Sequence, residues 1–109
     1  MTIAVAHQDG RWFATHSMGG RTLSMGLTFA AEPVAGAEVV VERTGAESPF
    51  FSQSRVVAEC MQGVGQALAE ARVQRWVRRI DLRDCDAAAP AQAMYLACAI
   101  TRKAIASGG

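Results

Sequence analysis

Apolar and polar positions change period three times along the chain, and each change marks an element. From residue 2 to about residue 43 apolar side chains alternate with polar or small ones, the period-two signature of strands with one buried face. "TIAVAH" and "RWFATHS" flank Asp9-Gly10, a dipeptide suited to a two-residue hairpin loop because both central positions take positive φ. "MGGR" offers Gly19-Gly20 as a second reversal, leading into "TLSMGLTF". The two loops are assigned independently and they agree. The first sets His7 against Trp12, Val5 against Ala14 and Ile3 against His16. The second sets His16 against Leu23, Ala14 against Met25 and Trp12 against Leu27. One face then collects Ile3, Val5, His7, Trp12, Ala14, His16, Leu23, Met25, Leu27 and Phe29. The other collects Ala4, Ala6, Phe13, Thr15, Ser24, Gly26 and Thr28. A one-residue slip in either loop would mix the two sets.

"AEVVVER" predicts a fourth strand after the short link "AEPVAG". A parallel crossover needs a dozen residues or more, so the fourth strand is expected antiparallel to the third. The period then lengthens to that of a helix over "SPFFSQSRVVAECMQGVGQALAEARVQ", with Ser48-Pro49, Ser52 or Ser54 at its start. Val57, Cys60, Met61, Val64, Leu68 and Ala71 recur on one side at helical spacing. Gly63 and Gly65 lie within this helix, each costing about 1 kcal/mol relative to Ala. That cost predicts the close approach of another backbone. "WVRRIDLR" alternates again as a fifth strand, with Ile80 and Leu82 opposite Arg79, Asp81 and Arg83. Its neighbours in the sheet are left open, because a helical crossover can return it to either edge. A last helix, opened near Asp86 and Pro90, runs through "AQAMYLACAITRKAIASGG" and stops at Gly108. Arg102 and Lys103 near its end suit the helix dipole.

The expected fold is α+β: a four-stranded antiparallel β-meander followed by helix–strand–helix, with both helices on one face of a five-stranded sheet. The 109 residues are expected to form one domain over 1–109. Between Ala91 and Ile100 the last helix has almost no polar side, and an all-apolar helix is normally enclosed. One sheet covers one side only, so a second copy is expected on the other. That reading makes a homodimer or higher oligomer the expected state, with a protein partner as the alternative occupant. Tyr95, Leu96 and Ile100, together with Phe13 on the small-residue sheet face, are the interface candidates.

Composition narrows the functional classes. Half the residues are hydrophobic, 19% are charged, and the net charge is +1, which exclude a disordered chain and a global pull toward nucleic acid. No apolar run reaches the ~20 residues of a membrane helix, and "MTIAVAHQDG" lacks the basic region of a signal peptide. A cytoplasmic setting is expected. Abundant Ala, and Arg at ten of eleven basic positions, fit bacterial GC-rich coding. Cys60, Cys85 and Cys98 are too widely spaced for a CxxC metal site and odd in number for a disulfide framework.

Candidate chemistry is sparse. His7 and His16, the two histidines, share a face, but His7 pairs with Trp12 and His16 lies four residues further along. At about 3.3 Å per residue that is roughly 13 Å, too far for one metal, whose ligands lie at about 2 Å. Each remains a weak candidate for a single catalytic imidazole at the sheet rim. Glu42 reads as a strand-end charge, or as part of a carboxylate cluster with Asp81 and Asp84. Arg75, Arg78, Arg79 and Arg83 around Trp76 form the densest basic segment, a candidate contact for nucleic acid or phosphate. Nearby carboxylates offer the simpler reading of neutralised arginines. "QGVGQAL" lacks the third glycine and the strand–helix setting of a phosphate loop. "TIAVAHQDGRWFAT" is similar to the opening hairpin of proteasome-type hydrolases, but Met18 and Val34 stand at that family's aspartate and lysine positions. "VVVER" with the final helix resembles RuvC-type nucleases, matching only at Glu42, so neither activity carries over. No metal or cofactor is expected. The sequence points to a non-enzymatic binding or assembly module, with the arginine segment as the alternative and a one-histidine enzyme third.

Overall fold

The computed structural model describes residues 3–18, 21–42, 53–83 and 90–108. The Gly19-Gly20 loop, the candidate caps Ser48-Pro49 and Ser52, and Asp84, Cys85 and Asp86 lie outside those residues. Strands β1 (Ala6–Gln8), β2 (Arg11–Met18), β3 (Arg21–Ala30) and β4 (Glu38–Glu42) precede helix α1 (Gln53–Ala71), strand β5 (Trp76–Arg83) and helix α2 (Gln92–Ala106). The fold is α+β, with five strands in one mixed sheet and both helices packed on it.

The first three strands pair as the alternation requires. His7 faces Trp12, Ala14 faces Met25, Trp12 faces Leu27 and His16 faces Leu23. The first reversal is made as expected, with Asp9 at φ 54° and Gly10 at φ 76°, the double positive φ of a tight hairpin loop. Trp12, Ala14, His16, Leu23, Met25 and Leu27 are all buried on the shared face.

The order of the sheet is β1-β2-β3-β5-β4, which corrects the four-stranded meander. β4 does run antiparallel to β3 in direction, but the two strands do not touch. β5 lies between them, antiparallel to β3 and parallel to β4. The physical reason is the crossover: α1 supplies the long connection that a parallel β4–β5 pair demands. Charge favours the same slot, since Glu38 falls opposite Arg79 and Glu42 opposite Arg83. β5 carries a bulge where Thr28 pairs with Arg79 but Phe29 with Val77, leaving Arg78 as the extra residue. An extra residue shifts the alternation by one, which is how Val77 and Ile80, three apart, are both buried.

α1 turns a slightly different side inward from the one its periodicity suggested. Val56, Cys60, Gly63, Val64 and Ala67 are buried. Val57 and Leu68 are half-buried, Ala71 is exposed, and Met61 is 43% exposed. The rotation follows from Gly63: a Cβ there would overlap the carbonyl oxygen of Met94 and come within 3.0 Å of the Cys98 nitrogen. The two helix backbones touch at that point, which answers the expectation for Gly63. Gly65 has open space around it, so no close approach explains it.

Against that neighbour and the sheet, α2 buries Gln92, Ala93, Leu96, Ala97, Cys98, Ile100, Thr101 and Ala104. α1 thus covers the side for which a second subunit was expected. α2 begins after Ala91, held at φ 67° without a side-chain cap, and ends at Gly108, at φ 76° with its N–H donating to the Ile105 carbonyl at 3.0 Å. Among the described residues no helix is long and apolar enough to cross a membrane.

Candidate binding surface on the open sheet face

Both helices lie on one side of the sheet, so alternation sends every second strand residue to a side that no described helix covers. Arg11, Phe13, Thr15, Ser24, Gly26, Thr28, Arg79, Asp81 and Arg83 project there, with Glu38, Val40 and Glu42 from β4. The register builds the surface in rows. Phe13, Gly26, Asp81 and Val40 form one row, and Thr15, Ser24, Arg83 and Glu42 the next.

The missing side chain of Gly26 shapes the first row. A Cβ there would lie 3.1 Å from Cδ of Arg11, so the Arg11 stem crosses the sheet over bare backbone. Its Nε reaches 3.7 Å from Oδ2 of Asp81. Arg79 donates from Nε to Oδ1 of Asp81 at 3.0 Å, its Nη2 lies 2.9 Å from the same oxygen, and its Nη1 lies 3.4 Å from Glu38. Hydrogen bonding to Asp81, then its charge, raises the Arg79 pKa above its ordinary value; desolvation opposes this, and Glu38 and Glu42 add smaller raises. Oδ2 of Asp81 is buried and accepts no hydrogen bond. In the second row Arg83 donates to Glu42 at 2.7 and 3.0 Å, and the Thr15 and Ser24 hydroxyls bond each other at 2.8 Å. A hollow of about 400 Å³ lies over these rows, walled by Phe13 on one side and by Glu42 and Arg83 on the other.

The sequence candidates fall in several places. Arg79 and Arg83 are on this face and engaged by carboxylates. Arg75 donates to the Gln74 carbonyl at 2.8 Å and lines a small crevice with Phe29 and Thr101 of the helix side. Arg78 is the exposed bulge residue, and Trp76 is half-buried opposite Ala30. The segment is therefore divided between the two sides of the sheet and does not make one basic patch. Glu42 and Asp81 are each held by an arginine, and among the described residues no group of three His, Cys, Asp or Glu could hold a metal.

His7 is exposed and stacks on Trp12 with ring centroids 4.0 Å apart and planes 2° from parallel. His16 is buried against α2, where Gln92 Nε2 lies 3.3 Å from its Nδ1 and donates to its carbonyl at 3.2 Å. One imidazole therefore caps a core tryptophan and the other ties strand to helix. Phe13, 37% exposed, and Tyr95, 57% exposed, are at the surface, on opposite sides of the molecule. Leu96 and Ile100 are fully buried, which corrects their assignment to an intermolecular interface: within this chain they are core.

No family model, no curated protein and no solved structure matches this chain. Sequence reasoning missed the Arg11–Gly26–Asp81 arrangement. Its available signal was the single glycine in the middle of a ten-residue strand, a mark of close approach by another group.

Proposed function

We propose that this protein is a binding module whose working surface is the open side of its sheet. The observation that carries the reading is the hollow itself. It has a floor of small residues (Thr15, Ser24 and Gly26), an aromatic wall at Phe13, and a buried carboxylate oxygen on Asp81 with no donor. Its volume falls in the range of roughly 300–1,000 Å³ typical of small-molecule sites. The charged groups lining it are Asp9, Glu42, Asp81, Arg11 and Arg83, a slight acidic excess. A ligand group that offers N–H donors beside an apolar ring suits this lining: displacing the Arg11 side chain, whose Nε lies 3.7 Å from Oδ2, the donors would meet Asp81 and the ring Phe13. A role in binding phosphate through the arginines is less well supported, because Arg79 and Arg83 would first have to leave their carboxylates.

Amide NMR spectra recorded during titration with benzamidine, adenosine and benzyl alcohol test this reading. Benzamidine is expected to move the signals of Thr15, Ser24, Gly26 and Asp81, and Phe13→Ala to weaken that binding about tenfold, equivalent to about 1.4 kcal/mol. Shifts confined to the helices, or no shift on the sheet at millimolar probe, would overturn it.

A further inference from the structure

We propose that two copies of this chain join along β4, giving one continuous ten-stranded sheet across a two-fold axis at Val40. β4 is an edge strand whose outer side has no pairing partner among the described residues. It is a run of three valines with none of the lysines, prolines or bulges that usually guard such an edge. Its only charges, Glu38 and Glu42, are tied to Arg79 and Arg83 of the neighbouring strand, so they do little to repel an arriving strand.

The helix layer offers a second unpartnered surface beside this edge. α2 contacts β2 and β3, while Ile80 and Leu82 of β5 are buried in one core with Val56, Cys60 and Val64 of α1, and Val39 and Val41 of β4 pack against that core, so α1 lies on the β4 side of α2. One flank of α1 meets α2 at Gly63. Val57, Met61 and Leu68 lie roughly 120–160° around the helix from that contact, at 100° per residue, on the flank turned toward the β4 edge. Val57 and Leu68 are half-buried and Met61 is 43% exposed. Among the described residues, an unpaired strand edge and an apolar helix flank thus stand one above the other on the same side of the molecule. A lone peptide strand would cover the edge and leave the helix flank bare. A partner that brings a strand and a helix at matching spacing covers both, and a second copy does so by construction. In the antiparallel pairing Glu38 falls opposite the other copy's Glu42, each already neutralised on its own chain.

This proposal is independent of the hollow on the open face, and its test reads mass and cross-linking, not ligand shifts. Sedimentation of the full chain is expected to give twice the 11.6 kDa chain mass at tens of micromolar. Met61→Glu, at an exposed position, is expected to weaken the dimer at least tenfold while leaving the circular dichroism spectrum unchanged. Val40→Cys in a Cys85→Ser background supplies the positional test. The axis sets Val40 opposite itself with Cα atoms about 4.5–5.5 Å apart, inside the disulfide range of about 4.4–6.8 Å. Oxidised glutathione is expected to convert that variant to a covalent dimer. A monomer at every concentration would overturn the proposal. So would a dimer that neither cross-links through residue 40 nor responds to Met61→Glu, which would place the interface elsewhere.

Discussion

Cys60 shows what burial does to a single group. Its thiol lies against the Met25 sulfur at 3.7 Å in the core, and burial pushes its pKa from 9.0 up to about 12. In the unfolded chain the thiol ionises at its ordinary value, so above about pH 9 the unfolded state holds fewer protons than the native one. Stability must then fall as pH rises from about 9 toward 12, by at most about 1.4 kcal/mol per pH unit from this residue. Denaturant titrations at pH 8 and pH 10.5 are expected to show a smaller loss for Cys60→Ala than for the native chain. An identical loss in both would remove Cys60 as the cause. Cys98, also raised chiefly by burial and lowered by Arg102, is present in both proteins and drops out of the comparison.

At the scale of elements, the two glycines of α1 separate cleanly. Gly63→Ala must force apart two helices that touch at Met94 and Cys98, so it is expected to destabilise by about 1–3 kcal/mol despite the better helix propensity of Ala. Gly65→Ala meets nothing and is expected to stabilise by about 0.5–1 kcal/mol. Paired thermal melts check both signs. The contrast also shows which elements the sequence made legible. Alternation plus two turn dipeptides carried the three-stranded ribbon with its register, because each residue's side is set by its immediate neighbours. The position of β5 depended on pairing between distant segments, and no local pattern encodes that. Helical spacing alone marked Met61 as inward, whereas the inward side was decided by where a neighbouring backbone came closest. The open-face site was half legible: Phe13, Gly26 and the arginines were visible, but their juxtaposition required knowing that Asp81 falls beside Gly26.

Across the whole molecule, the interleaved order of the strands governs where the structure is strongest. β3 and β5 are each flanked by strands on both sides, and Ile80 and Leu82 of β5 are fully buried in the core. β1 is three residues long, entirely exposed and at an edge. Native-state hydrogen exchange is expected to be slowest in β3 and β5 and fastest in β1, since the centre opens only with global unfolding. Equal protection in β1 and β5 would contradict that ranking.

The insertion of β5 also has a consequence for how the protein is made. A chain emerging from the ribosome completes its first three strands early, yet the strand that seals β3 is the last of the five to be synthesised. Until residue 83 clears the exit tunnel, one margin of β3 stays raw and open to mispairing. The nascent polypeptide therefore passes through a sticky interval that ends only when β5 emerges.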